Sequence, residues 1–144
     1  MQGRQKRKSI QQLWEQLILF WMGGTAYLGA ELVWRDGTHW TMFFAGGACF
    51  CALVRLANCP RLPLPLGAAV GALGITALEL VVGQTCLVFL RVRVWDYRPE
   101  WGNIAGFVCP RYTVLWYFLC LWLLMLLRLV REPRGIRPVP AAGV

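Results

Sequence analysis

Residues 66–90 carry one charge, Glu79, in a run that is otherwise apolar, small or uncharged. A helix crosses a lipid bilayer with about 20 mostly apolar residues, so this run sets the solvent in which the chain folds. Three further stretches share its character. Residues 13–34 have Glu15 at their mouth and Glu31 near their far end. Residues 40–57 form a shorter stretch, closed around Arg55, whose stem can lie along lipid while its head reaches water. Residues 112–130 are uncharged until Arg128. Linkers at 35–39, 58–65 and 91–111 separate the four, and Pro60, Pro63 and Pro65 break any helix through the second linker. Hydrophobic residues are 58% of the 144 and charged ones only 15%. A soluble domain of this size leaves too much of its chain at the surface to hide them. The predicted fold is all-α: an integral membrane domain of four transmembrane helices over residues 13–130, with a capping outer loop. A basic N-terminal tail is expected over 1–12 and a Pro/Arg-rich tail over 131–144.

The first apolar stretch is too long for the core of a secretory signal, and no small-residue cleavage site follows it, so it reads as a retained helix. With the N-terminus in the cytoplasm, ten of the fifteen basic residues fall on that side. The others are Arg35, Arg91, Arg93, Arg98 and Arg111. This bias predicts a multi-pass protein of the cell membrane with both termini cytoplasmic. The net charge of +8 needs no nucleic acid. Contact of the tails with anionic membrane lipid accounts for it.

In this topology the first and third linkers share the outer side, and the uncommon polar residues gather there. Arg35, Asp36, Thr38 and His39 lie in one; Asp96, Arg98 and Asn103 lie in the other. Two acids lie inside spans, where an ionised carboxylate is costly unless paired or wet. Glu31 stands four residues before Arg35, in the better order for a helical ion pair. A pair closing the helix end and a charged site lining a cavity both fit. Glu79 has no basic neighbour within four positions, so it must pair across helices, meet water or stay protonated. Both acids sit in a Glu-Leu-Val step behind small residues and a threonine, a hint of a duplicated two-helix hairpin. His39, the one histidine, is either a hydrogen-bonding residue of the interface or a proton carrier near neutral pH. The candidate substrate- or ion-binding residues are therefore Glu31, Arg35, His39, Glu79, Asp96 and Asn103. No metal site, cofactor or catalytic residue is assigned. The six cysteines contain no Cys-x-x-Cys pair, although Cys86 and Cys109 both fall toward the outer side. Neither a phosphate-binding Gly-x-x-x-x-Gly-Lys loop nor a Gly-x-Ser-x-Gly motif is present.

The ordered string of uncommon residues resembles a family of small bacterial membrane proteins, the ABC-transporter permeases of the CmpB type. The resemblance begins in Gly23-Gly24-x-x-Tyr27-x-x-x-Glu31-x-x-Trp34-Arg35 and continues through Thr38-His39-Trp40-Thr41-Met42-Phe43 and Gly46-Gly47-x-x-Phe50. It runs on in Ile75-Thr76-x-x-Glu79-x-x-x-Gly83, Val94-Trp95-Asp96-Tyr97, Asn103-x-x-Gly106 and Cys109-x-x-Tyr112-x-x-x-Trp116. It covers nearly everything between residues 20 and 120. Family members commonly have Arg-Gly-aromatic-Thr-His where this chain has Arg35-Asp36-Gly37-Thr38-His39. They often carry asparagine at the position of Leu87 and glutamine at that of Phe107. The resemblance thus implies an outer site less polar than in relatives, and a permease partner for a separate ATPase.

Three functions follow from these features. The first is a permease-like transport component with a polar site at the outer end of the bundle. Four spans rarely enclose a path alone, so it calls for a homo-oligomer or an ATPase subunit as partner. The second is a membrane enzyme on a lipid head group, with the acids and His39 as acid and base and Arg35 and Arg98 clamping phosphate. The third is a structural or regulatory membrane subunit.

Overall fold

The computed structural model describes residues 2–35, 37–59 and 61–131, with side chains for 7, 9–33, 37–59 and 61–130. Four helices follow one another: α1 (Gln2–Arg35), α2 (Thr41–Ala57), α3 (Leu64–Thr85) and α4 (Pro110–Arg131). Between α3 and α4 a π-helical turn, Cys86–Leu90, leads into a long connection over 91–109. Two segments, Leu64–Leu90 and Pro110–Val130, are long and apolar enough to cross a membrane, and α2 is a shorter apolar helix. The basic segment expected as a tail over 1–12 is helical from Gln2 onward. Glutamine, lysine and arginine are good helix formers, and no proline interrupts them. The 131–144 tail lies outside the described residues beyond Arg131.

The helices pair as two hairpins, α1 with α2 and α3 with α4, joined along α2. Glycine sets the first pairing. A Cβ on Gly23 would stand 2.9 Å from the Gly46 carbonyl oxygen, and one on Gly46 would stand 3.0 Å from that of Gly23. The two backbones touch where side chains are missing, which is how helices approach closely in lipid. Pro63 precedes α3 as its cap and Pro65 lies in the first turn, where a missing N–H costs nothing. Arg128 of α4 fastens the preceding loop by donating from Nη2 to the carbonyls of Leu62 (2.7 Å) and Cys59 (3.3 Å).

Two clusters make the core. Near the α2–α3 loop, Leu53, Ala57, Ala68, Cys120 and Leu124 are buried together. At the opposite end, Trp95, Tyr97, Phe107 and Cys109 of the long connection pack with Met42 of α2, against Tyr27, Leu80 and Tyr112 of the other helices. The connection is therefore a packed cap. Its internal bonds run from Trp95 Nε1 to the Phe107 carbonyl (2.8 Å), from Tyr97 N–H to the Gly106 carbonyl (2.8 Å) and from Ile104 N–H to the Val108 carbonyl (2.9 Å). The π turn prepares this return: Arg91 and Val92 both donate to the Cys86 carbonyl, and the φ of 56° at Arg91 turns the chain back across the helix ends. No polar or charged residue is buried among the described residues, while Trp21, Val33, Phe89 and Phe118 are exposed. An apolar outside is what a lipid-facing bundle presents.

Candidate functional site

The cap and the ends of α1 and α2 enclose an open recess of about 670 Å³. Glu31, Thr38 and His39 line one side, and Arg93, Asp96 and Glu100 line the other. Tyr97 and Tyr112 form an aromatic wall, stacked at 4.3 Å with an interplanar angle of 15°.

On the helix side, Glu31 lies on the last turn of α1, and its Oε2 accepts a hydrogen bond of 2.6 Å from the Thr38 hydroxyl. That bond folds the short linker back on the helix that precedes it. His39 Nδ1 lies 2.8 Å from the Thr41 hydroxyl and 3.4 Å from the Thr41 backbone nitrogen, just before α2 begins. A backbone N–H can only donate, so Nδ1 accepts there, and the neutral ring carries its proton on Nε2. The Arg35 side chain lies outside the described residues, so the expected Glu31–Arg35 pair does too.

On the cap side, Asp96 is held by Arg98. The guanidinium Nε stands 2.8 and 2.9 Å from the two carboxylate oxygens, and the Arg98 backbone N–H adds a bond of 3.0 Å. Arg93 approaches to 3.8 Å. The hydrogen bonds from Arg98 hold the Asp96 carboxyl down at about 2, below its ordinary 3.8. The same pair raises the Arg98 guanidinium. Its charged partners among the described residues, Arg93 and Arg98, come from its own loop. An arginine two positions away reaches it with little further ordering of the backbone. The Arg93 guanidinium lies 4.6 Å over the Phe107 ring, a cation–π contact that ties the recess to the core beneath it.

Asn103 serves the loop. Its Nδ2 donates to the carbonyls of Glu100 (2.9 Å) and Arg98 (3.2 Å), and its Oδ1 accepts from Gly106 N–H (3.2 Å). Glu100 is met in turn by Arg111 at 3.1 Å. Phe107 does not line the recess: it is buried under it, against Gly83. The apolar residue at that position therefore alters the support of the site and not its surface.

Glu79 lies apart from the recess lining, between α3 and α4, where its Oε2 accepts from Trp116 Nε1 at 3.0 Å. The hydroxyls of Thr76 and Thr113 bond at 3.1 Å beside it, and Tyr27 of α1 stands 6.2 Å from the Trp116 ring. A polar seam thus runs through the apolar bundle. Of the sequence candidates, Glu31, His39 and Asp96 share the recess, Asn103 braces its cap, and Glu79 belongs to the seam. The sequence candidates leave out Thr38, Arg93, Glu100, Thr113 and Trp116. One signal was present: Thr76 with Glu79 and Thr113 with Trp116 share a spacing of three, which puts each pair on one helix face.

The fold and the site define an all-helical protein of membrane type, with a polar recess under a packed cap. The family model described as "Putative ABC-transporter type IV", of the CmpB kind, matches residues 14–135, and the chain belongs to that family. It is an ABC-transporter-related membrane protein. No curated protein and no solved structure matches the chain.

Proposed function

We propose that the chain is a permease-like component of a transport system, with all four helices spanning the cell membrane and both termini in the cytoplasm. The recess at the outer end receives a polar or charged substrate between Glu31, His39 and Asp96, beside Arg35 at the end of α1. Glu79 is the acid that a proton or cation visits farther along the bundle. The observation carrying this reading is the polar seam of Glu79, Trp116, Thr76 and Thr113, set in a bundle whose outside is apolar. A carboxylate kept inside a membrane domain marks a pathway more often than a packing need. Four helices enclose little, so the reading includes a partner: a second copy or a separate ATPase subunit.

Reconstitution tests this. The chain and its copurifying ATPase subunit, in proteoliposomes, should hydrolyse ATP at a rate that falls with Glu79→Gln at unchanged ATPase content. A chain that purifies intact without any ATPase, and whose Glu79→Gln variant supports normal growth of the host, sinks the transport role. One observation favours a purely structural subunit instead: Asp96 and Asn103 direct these hydrogen bonds to their own loop. That reading expects His39→Ala and Glu79→Gln to leave growth unchanged.

A further inference from the structure

On the outside of the bundle, between α2 and α3, runs an apolar trough. One hollow of about 860 Å³ lies toward the α2–α3 loop, and another of about 460 Å³ lies toward the cap. Ala48 and Leu78 line both, so the two meet at mid-height. The larger hollow is floored by small residues of α2 and walled by α3. Gly74 opens it further, since a Cβ there would meet nothing within 4 Å. Its rim is basic. Arg55 lines it, and among the described residues no carboxylate or carbonyl meets the Arg55 guanidinium. Arg128 reaches the same rim from behind, through the carbonyls of Cys59 and Leu62, two lining residues.

Depth and charge identify the occupant. The helical floor from Ala48 to Ala57 rises about 14 Å at 1.5 Å per residue. That is about half of a hydrocarbon core some 30 Å thick, the depth of a single leaflet. Arg55, whose guanidinium meets no acid among the described residues, stands in the last turn of α2, from where its stem reaches that leaflet's head groups. We propose that the trough holds one anionic phospholipid, its phosphate at Arg55 and an acyl chain along Ala52 and Gly74 to Leu78. Basic pockets between membrane helices take such head groups. A second copy docked two-fold on this face is the weaker fit. An isologous contact pairs the face with itself, and neither hollow is lined by an acid to meet Arg55. The inference needs only a membrane-embedded bundle and does not depend on transport.

The test is native mass spectrometry of the full chain in mild detergent, after exchange against vesicles of phosphatidylglycerol or phosphatidylcholine. One phosphatidylglycerol should stay bound per chain, and phosphatidylcholine should be lost. Arg55→Gln should lower that retention on the order of tenfold, as one charge-assisted contact is removed. Gly74→Leu should expel the lipid from a folded chain, since it fills open space and improves helix propensity. Equal retention of both lipids, or retention by both variants, overturns the proposal. So does a lipid-free dimer that Gly74→Leu dissociates, which would put a second copy in the trough.

Discussion

The Phe107 ring sits in the notch that Gly83 leaves in α3: a Cβ on Gly83 would overlap the ring. This contact seats the whole cap, because Phe107 is fully buried and its carbonyl receives Trp95 Nε1. Gly83→Ala should therefore cost about 1–3 kcal/mol, the range for forcing a methyl into a packed core. Thermal unfolding in detergent measures it. Phe107→Leu should recover part of the loss in the double variant, and additive losses would show that the two sites do not share the notch.

Glu79→Gln keeps a carbonyl oxygen for Trp116 Nε1, so the variant should stay folded and inserted with an unchanged melting temperature. Under the transport reading its activity is lost. Trp116→Phe removes the donor from a carboxylate and should lower stability by about 1.5–3 kcal/mol. Uptake or growth measured beside melting separates the two effects. Full activity of Glu79→Gln would remove this residue from any pathway.

Asp96 supplies a pH prediction. Its carboxyl is depressed to about 2 from 3.8, so its contribution to the cap is present above 3.8 and disappears as pH falls through 2. Amide exchange over 96–106, corrected for intrinsic rates, should be flat above about pH 4 and accelerate below it. Asp96→Asn should raise exchange there at every pH. Slow exchange in that variant would mean that Asn103 and Trp95 hold the loop without the ion pair.

Gly106 has φ +73° under Arg98, Arg93 and Asp96, and a Cβ there would stand 2.6 Å from Arg98 Cγ. Gly106→Ala meets both a disfavoured backbone and a clash, and should cost about 1–3 kcal/mol. Local exchange in the cap should rise before the helices melt. An unchanged cap would contradict the tight apposition of the three side chains above it.

Topology is tested by thiol labelling of whole cells, with the native exposed Cys59 replaced by serine. Gly37→Cys and Trp101→Cys should react from outside if both termini are cytoplasmic, and Gly3→Cys should not. Trp101 is 86% exposed and is a better reporter than Gly102, whose φ of +68° disfavours any side chain. Outside labelling of Gly3→Cys would reverse the orientation and put the recess on the cytoplasmic face.

The helix ends were largely legible in the residues. Hydropathy and proline are local properties, and the stretches read at 40–57, 66–90 and 112–130 correspond to α2, α3 with its π turn, and α4. The cap was legible from its aromatics, since Trp95, Tyr97 and Phe107 are too apolar for a solvated loop. Side-chain partners were not. Asp96 meets Arg98, two positions away, and nothing in composition marks that pairing in advance.

Sequence by itself determined that helices form at the apolar stretches, where most of their ends fall, and which connections carry charge. Tertiary structure alone decided that Glu79 meets Trp116, 37 residues away, that Phe107 enters the notch at Gly83, and that Arg128 ties down the 58–63 loop. The reason lies in the solvent. In water, a polar stripe reveals which face of a helix points outward. In lipid, the inner and outer faces are both apolar, so periodicity cannot report the rotation of one helix against another. That rotation, set by glycine contacts such as Gly23 with Gly46, chooses which side chains meet.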